Sequence, residues 1–469
     1  MDSELLPLFI EKMKKAGLPE PAIDTFSNYY SQLKTGKTGL IPENEITPLK
    51  KGEIDSLSDL SDFKKSGEKA LHKTVVIKLN GGLGTTMGLQ GPKSLIPVKN
   101  GLSFLDITAL QILDFNKIHG FRIPLILMNS FRTESESCKT LEKYPDLQTA
   151  IPFSFIQHKF PRILASTLGP AEFPKNPALE WNPPGHGDLY TSLLTSGILN
   201  KLLEMEYRFA FISNIDNLGA SLDTNILGYF AEKNISFLME VTERTQMDRK
   251  GGHLAWQKNG HLLLRESAQC PKENTADFSD ITRHNFFNTN NLWIDLHALR
   301  KLLTNRNSVL DLPMIRNIKK LDPVDDNSPV VYQLESAMGS AISVFDSASA
   351  LEVPRYRFAP VKNCEELLLL WSDYFLLTSD YRIIRNHERK SSARLEITLD
   401  PKFYSRIDQI KERFPDGAPS LLNCNSLKIN GDVKFGKKVK ITGNITINNN
   451  SSNQKLIPDN QIINHDLQL

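Results

Sequence analysis

The residues with the clearest chemical potential form a glycine-rich stretch followed by one lysine. Five glycines lie between Lys78 and Ser94, directly after the β-branched run at residues 74–77. Glycine backbone at the end of a strand can approach phosphate oxygens closely enough for its N–H groups to donate hydrogen bonds to them. Lys93 follows Pro92, which restricts its approach, and its ammonium can neutralise charge on a phosphate during transfer. The stretch therefore predicts a loop that binds a polyphosphate.

Two commoner glycine-rich motifs do not fit this stretch. A P-loop requires Gly-x-x-x-x-Gly-Lys-Ser/Thr, but Pro92 separates Gly91 from Lys93. A dinucleotide-binding fingerprint that starts at Gly82 would need a small residue where Met87 stands, so that helix and strand could pack closely. A flexible surface loop with one solvated lysine is the remaining alternative. Five glycines directly after an apolar strand make that alternative the less favoured interpretation.

Strands and helices alternate from residue 74 onward. The pattern predicts strands at 74–77, 124–129, 153–157, 209–212 and 237–241, with helices at 103–120 and near 133–143. Such alternation without hairpin turns is typical of a largely parallel sheet that is covered on both faces and binds ligands at the carboxyl ends of its strands. The glycine-rich stretch, Met128 with Asn129, and Gln157 all follow such strands, so we expect them to share one rim.

Asp216 follows the strand at 209–212 and is expected at the same rim. A magnesium-bound polyphosphate would need an oxygen ligand there, and a carboxylate provides one. A single aspartate after a strand is also a common helix cap or turn former, which is the alternative interpretation. The position of Asp216 relative to the glycine-rich stretch favours its interpretation as a metal ligand.

The composition is that of an ordinary globular protein with two or three domains. The 469 residues are 40% apolar and 23% charged, enough to bury a large core. A formal net charge of +2 with scattered lysine pairs predicts neither a nucleic-acid nor a membrane partner. The four cysteines are far apart, which suggests neither a zinc site nor a disulfide framework. With no basic leader and no long apolar run, we expect a cytoplasmic protein.

The two ends of the chain differ from its centre. Residues 1–70 mix helical patterns with a stretch punctuated by glycine and proline, and are expected to pack as a helical region on an α/β domain at 71–390. From Leu427 an apolar residue recurs at every second position, with glycine at intervals near six, which is typical of β-helix coils. This predicts a third domain at 396–469. Its sheet edges could pair with another subunit, so a homo-oligomer is a hypothesis.

Residues 79–94 resemble the nucleotide-binding loop of the eukaryotic-type UDP-glucose pyrophosphorylases, the UTP-glucose-1-phosphate uridylyltransferases. The related UDP-N-acetylhexosamine pyrophosphorylases typically carry Gly where Asn80 stands and Arg where Met87 stands, which favours the glucose family. Further blocks that resemble this family lie at 128–131, 157, 161–162, 181–188, 214–217, 250–252, 287–293 and 360–362. The similarity runs from about residue 70 to the end of the chain.

The resemblance implies a fold and a role for each matching residue. The fold is a mostly parallel, Rossmann-like nucleotidyltransferase (GT-A-like) α/β domain followed by a left-handed β-helix domain. Nucleotide binding is implied for Leu79, Asn80, Gly81, Gly82, Lys93, Met128, Gln157, Gly185, His186, Asn214 and Asp216, with uracil against Met128, Gln157 and Gly185. Sugar binding is implied for His186, Glu266, Asn288, Asn290 and Lys362, and Lys362 would grip the glucose phosphate. Catalysis is implied for Lys93, Lys362 and Asp216, with Mg²⁺ on Asp216.

Without the resemblance, several of these residues have plainer interpretations. Gln157 on a strand is usually a surface residue, and residues 183–187 fit a tight turn with a packed histidine. Lys362 and Glu266 alone would be solvated surface residues. The Asn-x-Asn pair at 288 and 290 has strand spacing, which would point both amides to one side, and a capped turn is the competing explanation.

The reaction implied is in-line attack by a glucose 1-phosphate oxygen on the α-phosphorus of UTP. It gives UDP-glucose and pyrophosphate, reversibly and with Mg²⁺. The nucleophile is already an anion at neutral pH, so catalysis must come from alignment and charge neutralisation rather than from a general base. Two alternatives stay open. One is the same transfer to N-acetylglucosamine 1-phosphate, and the other is a catalytically silent nucleotide-sugar-binding scaffold, against which Lys93, Asp216 and Lys362 together argue.

Overall fold

The computed structural model describes residues 5–89, 91–391 and 395–469. Its helices are α1 Leu5–Lys15, α2 Glu20–Lys34, α3 Lys64–Ala70, α4 Phe104–His119, α5 Glu134–Leu141, α6 Leu189–Thr195, α7 Ile198–Glu204, α8 Thr224–Glu232, α9 Thr275–Ser279, α10 Leu296–Asn305, α11 Cys364–Trp371, α12 Pro401–Tyr404 and α13 Ile407–Arg413. Among the residues described, no helix combines the length and the apolar character that crossing a bilayer requires.

The strands are short and numerous. They are β1 Ile46–Pro48, β2 Asp55–Ser56, β3 Thr74–Asn80, β4 Pro97–Lys99, β5 Leu102–Ser103, β6 Leu125–Asn129, β7 Ser154–Ile156, β8 Phe160–Pro161, β9 Ile163–Leu164, β10 Trp181–Asn182, β11 Phe209–Asn214, β12 Phe237–Glu243, β13 His253–Gln257, β14 Leu262–Arg265, β15 Phe286–Asp295, β16 Met314–Lys320, β17 Val330–Ser336, β18 Ala348–Glu352, β19 Phe375–Leu377, β20 Ile383–Arg385, β21 Glu396–Leu399, β22 Ser420–Asn430, β23 Val433–Phe435, β24 Lys440–Asn448, β25 Lys455–Ile457, β26 Ile462–Ile463 and β27 Leu467–Gln468.

A mixed sheet forms the centre of the molecule and runs in the order β2-β18-β12-β15-β11-β3-β6-β7. β11, β3, β6 and β7 are parallel neighbours, as the alternation of strands and helices predicts. β12, β18 and β2 form a second parallel group. Between the groups, β15 runs antiparallel to both β11 and β12, and the hairpin β13–β14 extends the sheet from it. The sheet is therefore mostly parallel, but hairpins and one antiparallel strand interrupt the expected pattern.

The parallel strands are apolar on both faces because both faces are covered. Val75 and Ile77 of β3 belong to one hydrophobic core, and Val76 belongs to the core on the opposite face. Helix α4 covers part of the second face and begins at the predicted capping box, in which Ser103 Oγ accepts a hydrogen bond from the Asp106 N–H. It ends before Gly120, whose φ of 74° lies in the left-handed region.

The carboxyl ends of the parallel strands meet at one rim. Leu79 of β3 is opposite Met128 of β6 on one side and Asn214 of β11 on the other. Asn80 is opposite Asn129, and β7 ends one residue before Gln157. The predicted convergence of these strand ends is confirmed.

The amino-terminal helices pack on the central region through aromatic side chains. Phe9 of α1 and Phe26 of α2 have ring centroids 5.1 Å apart, and Phe26 also contacts Phe160 at 5.4 Å. The segment that follows these helices brings the buried carboxylate of Glu43 under the hairpin β13–β14, where it accepts a hydrogen bond from Arg265 Nη1 at 2.6 Å. The amino-terminal region is thus anchored at two separate places.

The carboxyl-terminal region is built from parallel strands. β22 pairs with β21 and β24, β24 pairs with β26 and β27, and β23 pairs with β25, all of them parallel. Alternate side chains, among them Leu427, Ile429 and Ile445, are buried. They share a single hydrophobic core with helix α11 and with Met87 of the glycine-rich stretch. The carboxyl-terminal region is therefore joined by packing to the loop at the rim.

Candidate active site

Asn80 fixes the base of the glycine-rich stretch. Its buried side-chain Nδ2 donates hydrogen bonds to Asn129 Oδ1 and Ser137 Oγ, both at 2.7 Å. Gly81 lies directly against Gln157, because a Cβ on this glycine would stand 2.9 Å from the Gln157 Nε2. The Gln157 N–H donates to the Asn129 carbonyl at 2.8 Å. Asn129, for which neither the sequence pattern nor the resemblance indicates a role, joins the loop to Gln157.

His186 lies in a tight turn whose entry only glycine can make. Gly185 has φ 78° and ψ 173°, a conformation that is essentially restricted to glycine, and a Cβ there would stand 2.4 Å from the Ser336 carbonyl oxygen. The His186 Nδ1 accepts a hydrogen bond from the Met338 N–H at 2.9 Å. Burial lowers the pKa of His186 to about 4, so the ring is neutral at physiological pH. Its proton is then on Nε2, which is free to donate to a ligand.

His158 and the buried Asp188 connect Gln157 to this turn, and no local pattern predicts their contact. The His158 N–H donates to Asp188 Oδ2 at 2.6 Å, and the ring Nδ1 lies 2.8 Å from Asp188 Oδ1. The ring Nε2 lies 3.0 Å from the Thr195 hydroxyl. Burial raises the pKa of the Asp188 carboxyl, and its contacts with His158 oppose the shift. The pair holds the end of β7 against the residues that follow His186.

Lys93 and Asp216 form an ion pair at the rim. Lys93 begins a short 3₁₀ helix, Lys93–Leu95, and Asp216 lies two residues after β11. The Lys93 Nζ contacts Asp216 Oδ2, and the two side chains are 17% and 16% exposed. Both groups are therefore accessible to a ligand that enters beside the glycine-rich stretch.

The carboxylate of Asp216 at the rim fits one kind of metal site. Among residues 5–89, 91–391 and 395–469, no three His, Cys, Asp or Glu side chains cluster closely enough to enclose a metal ion. Mg²⁺ that accompanies a nucleotide usually takes one or two carboxylates, with phosphate oxygens and water completing its octahedron. Asp216 matches such a site, whereas a cage made only of protein side chains does not fit these residues.

The Asn288 and Asn290 side chains meet through a β-bulge. In the pairing of β12 with β15, Glu240 is opposite Asn291 and Val241 is opposite Asn288, so the two residues between them are extra. Asn290 has φ 58°. Its N–H donates to Asn288 Oδ1, and the Asn288 Nδ2 donates to Asn290 Oδ1, both at 2.9 Å. The two amides are adjacent, but the regular strand spacing predicted for them is wrong.

Glu266 lies near Asn288 through Gly252, and Lys362 is close enough for its charge to act on Glu266. Gly252 allows the Glu266 carboxylate to approach, since a Cβ on the glycine would stand 2.7 Å from its Oε2. The Gly252 carbonyl also accepts from the Asn288 N–H at 3.1 Å. Burial raises the pKa of Glu266, and the positive charge of Lys362 opposes that shift. A carboxylate therefore lies close to the strand that carries the two amides, with the charge of the exposed Lys362 nearby, and this set of groups suits a hydroxyl-rich anion.

A mostly parallel sheet with a glycine-rich loop, a lysine and a carboxylate at its rim is typical of nucleotide-binding α/β enzymes. Two adjacent amide side chains lie on β15 of the same sheet. Residues 23–442 match the family model for UTP--glucose-1-phosphate uridylyltransferase. The chain belongs to this family.

Individual relatives agree with the family model over most of the chain. The UTP--glucose-1-phosphate uridylyltransferase of Solanum tuberosum is 41% identical over 410 residues, which cover 87% of this chain and 84% of the relative. The enzyme of the same name from Musa acuminata is 40% identical over 455 residues, covering 97% and 94%. A mutant UDP-glucose pyrophosphorylase from Leishmania major, solved in complex with UDP-glucose, superposes with a TM-score of 0.91 at 42% identity, covering 100% of both chains. The structure of a UDP-glucose phosphorylase from Trypanosoma brucei superposes with a TM-score of 0.88 at 43% identity, also covering 100% of both chains.

Proposed function

We propose that this protein transfers uridylyl from UTP to glucose 1-phosphate, forming UDP-glucose and pyrophosphate. The contact between Lys93 and Asp216 beside the glycine-rich stretch is the observation that supports the proposal, because a triphosphate bound to that stretch would have a cation and a carboxylate next to it. Membership in the UTP--glucose-1-phosphate uridylyltransferase family supports the choice of both substrates. The UDP-glucose complex of the Leishmania major relative supports the choice of product.

The nucleotide half would bind and orient UTP. Gln157 and the Gly185 backbone would read the uracil carbonyl and N–H groups, with Met128 packed against the ring. The neutral His186 would donate from Nε2 to a ribose or phosphate oxygen, and Asn214 would lie along the same path. The backbone N–H groups of the glycine-rich stretch would donate to phosphate oxygens. These contacts fix the α-phosphorus in one place.

The sugar half would hold glucose 1-phosphate for in-line attack. Glu266, Asn288 and Asn290 would bind glucose hydroxyls, and Lys362 would bind the attacking phosphate. Two unit charges 4 Å apart interact by about 4 kcal/mol at an effective dielectric constant near 20, so bringing two phosphate groups together requires nearby cations. Lys93 and Lys362 would offset this repulsion, Lys93 at the α-phosphate and Lys362 at the nucleophile. No proton has to move.

We also propose Asp216 as the ligand of a nucleotide-bound Mg²⁺. That ion would supply additional charge neutralisation on the triphosphate. We expect Asp216→Asn to raise the Mg²⁺ concentration needed for half-maximal velocity by about tenfold, and to weaken the dependence of UTP affinity on Mg²⁺ in calorimetry. Unchanged titrations in both measurements would remove Asp216 as a ligand.

The decisive experiment measures pyrophosphate release from the purified protein with UTP, Mg²⁺ and one sugar phosphate. Release with glucose 1-phosphate, and little with N-acetylglucosamine 1-phosphate, would support the proposal. Release mainly with the amino sugar would instead assign the protein to N-acetylhexosamine chemistry. If neither sugar phosphate gives pyrophosphate while UTP or UDP-glucose still binds, a nucleotide-sugar-binding scaffold is the better account.

The parallel strand pairs after residue 395 support a division of the chain into domains. We propose that residues 396–469 form a left-handed β-helix domain, that residues 71–390 form the catalytic domain, and that residues 1–70 are a helical region packed on it. A cytoplasmic location and assembly through the open edge of the β-helix complete the proposal. Light scattering after size exclusion tests the assembly, and a strict monomer at micromolar concentration would contradict it.

A further inference from the structure

Asn217, the residue after Asp216, uses its whole side-chain amide on distant segments. Its Oδ1 accepts a hydrogen bond from the Ala359 N–H at 2.9 Å. Its Nδ2 donates to the Arg357 carbonyl at 3.0 Å and to Asn291 Oδ1 at 3.2 Å. These partners are 142, 140 and 74 residues away in sequence. The side chain is therefore not a cap for its own turn, although its backbone N–H does close that turn on Asn214.

The three partners belong to the segments that carry the other proposed functional groups. Asn217 and Pro360 form an isolated antiparallel bridge two residues before Lys362. Asn291 follows Asn290 in β15. One buried amide thus connects the Asp216 loop to the Lys362 segment and to the sugar-binding strand.

A buried ion pair immobilises the groups to which Asn217 binds. The Arg357 Nε and Nη2 each donate to the Glu240 carboxylate at 2.7 Å. The same carboxylate accepts from Asn291 Nδ2 at 3.0 Å and from Trp293 Nε1 at 2.9 Å. Arg357 and Glu240 are 2% and 0% exposed, so these contacts are shielded from water and rigid. The backbone carbonyl of Arg357 and the amide of Asn291 are consequently fixed acceptors for Asn217.

The backbones also approach each other too closely for a side chain between them. A Cβ on Gly219 would lie 2.2 Å from the Tyr356 carbonyl oxygen. The loop after Asp216 and the segment before Lys362 are therefore in direct backbone contact. Movement of either segment would be transmitted to the other.

We propose that Asn217 is a positioning residue for the transfer step, holding Lys362 and the sugar-binding strand in register with Asp216. This inference rests on the proposed function. In-line attack requires the sugar phosphate and the α-phosphorus to be aligned, and a displacement of about 1 Å between reacting groups can cost roughly 10²-fold in rate. Asn217 connects the parts of the site that hold the two reactants, whereas uracil contacts come from strands that it does not touch.

The test compares Asn217→Ala with wild type in the full-length protein. We expect kcat/KM for glucose 1-phosphate to fall about 30- to 100-fold, while the Kd of UTP measured by calorimetry changes less than about twofold. The nearly isosteric Asn217→Asp keeps an acceptor for the Ala359 N–H and removes the donor to the Arg357 carbonyl. It should therefore also lower kcat/KM for glucose 1-phosphate. It serves as the test variant if the alanine protein does not fold.

Asn449→Ala is the matched control. Asn449 is also buried, and its Nδ2 also donates two hydrogen bonds, in this case to the backbone carbonyls of Asp432 at 2.6 Å and Asn453 at 2.8 Å, but it lies in the carboxyl-terminal region. It should lower the unfolding temperature and leave kcat/KM for glucose 1-phosphate within twofold of wild type. An equal kinetic loss in both variants would show that Asn217 acts only through general stability and would overturn the inference.

A double-mutant cycle with Lys362→Met tests whether Asn217 acts through Lys362. If it does, adding Asn217→Ala to the Lys362→Met variant should lower kcat/KM for glucose 1-phosphate by less than about threefold. Fully additive losses in kcat/KM would overturn the inference. An Asn217→Ala variant that keeps kcat/KM for glucose 1-phosphate within threefold of wild type would also overturn it. Failure of the proposed function is a separate result, because wild-type protein would then release no pyrophosphate with glucose 1-phosphate.

Discussion

Lys93 and Asp216 neutralise each other in the ligand-free protein, so nucleotide binding has to exchange their partners. A triphosphate would offer Lys93 several anionic oxygens in place of one carboxylate, and would leave Asp216 available to a cation. The ion pair therefore keeps both side chains at the rim, with less unpaired charge before the substrate arrives.

Lys93 is expected to be needed for the rate of transfer. We expect Lys93→Ala to lower kcat for pyrophosphate release by about 10²-fold or more, because an electrostatic contact to the transition state is lost. Circular dichroism and the unfolding temperature should stay close to wild type, since the side chain is partly exposed. Lys117→Ala, at an exposed position in the last turn of α4, is the control. A near-wild-type rate for Lys93→Ala would remove this lysine from the mechanism.

At the scale of elements, the turn at Gly185 is expected to control nucleotide binding. Gly185→Ala would place a Cβ 2.4 Å from the Ser336 carbonyl and displace His186, so we expect KM for UTP to rise at least tenfold. Gly260 also has a positive φ, 81°, but nothing stands within 4 Å of its Cβ position. Gly260→Ala should therefore cost only about 1–2 kcal/mol of backbone strain and leave KM unchanged. Equal effects of the two variants on KM would contradict this account.

Two buried histidines at the hairpin β13–β14 are expected to limit the stability of the protein in acid. The rings of His253 and His284 stack with centroids 3.7 Å apart, and burial lowers the pKa of both. His284 Nε2 faces the Glu43 carboxylate, which opposes the shift, and Arg244 and Arg265 add to it. Below about pH 6.5 the unfolded chain binds protons that the folded protein does not, so the free energy of unfolding should decrease as pH falls.

Urea unfolding between pH 7 and pH 5 measures this effect. His253→Phe removes one of the titrating groups, so its loss of unfolding free energy over that range should be smaller than that of wild type by up to about 2 kcal/mol. His261→Phe, at an exposed position in the adjoining turn, should keep the wild-type slope. Identical slopes for wild type and His253→Phe would show that this buried pair does not govern acid stability.

At the scale of the whole molecule, the carboxyl-terminal strands and the glycine-rich stretch share one core. Because this core extends from Met87 through α11 to Ile463, we expect the catalytic and carboxyl-terminal regions to unfold together. Leu427→Ala should remove about 2–5 kcal/mol from this common transition. Calorimetry measures the unfolding transition, and a fluorescence titration measures UDP-glucose binding. A separate low-temperature transition that leaves UDP-glucose binding intact would contradict the shared core.

Local patterns in the sequence were sufficient to predict the parallel strands and the rim at which they end. Short apolar strands that each end in a polar or glycine residue predict a parallel sheet, and parallel strands necessarily bring their carboxyl ends to one edge. Local signals also fixed α4, where the capping box at Ser103 and the glycine at 120 mark both ends. Such features depend on neighbours within a few residues, which is why periodicity and turn chemistry predict them.

The assembly of the proposed sugar-binding groups depends on contacts between distant segments. The antiparallel insertion of β15, its bulge at Asn290, and the amide of Asn217 bring together groups from residues 216, 288 and 362. The His158–Asp188 pair likewise joins segments 30 residues apart. Hydrophobic periodicity records which face of a strand is buried, but it does not record which distant strand becomes its neighbour. These contacts depend on packing between segments far apart in the chain, so no local pattern could have predicted them.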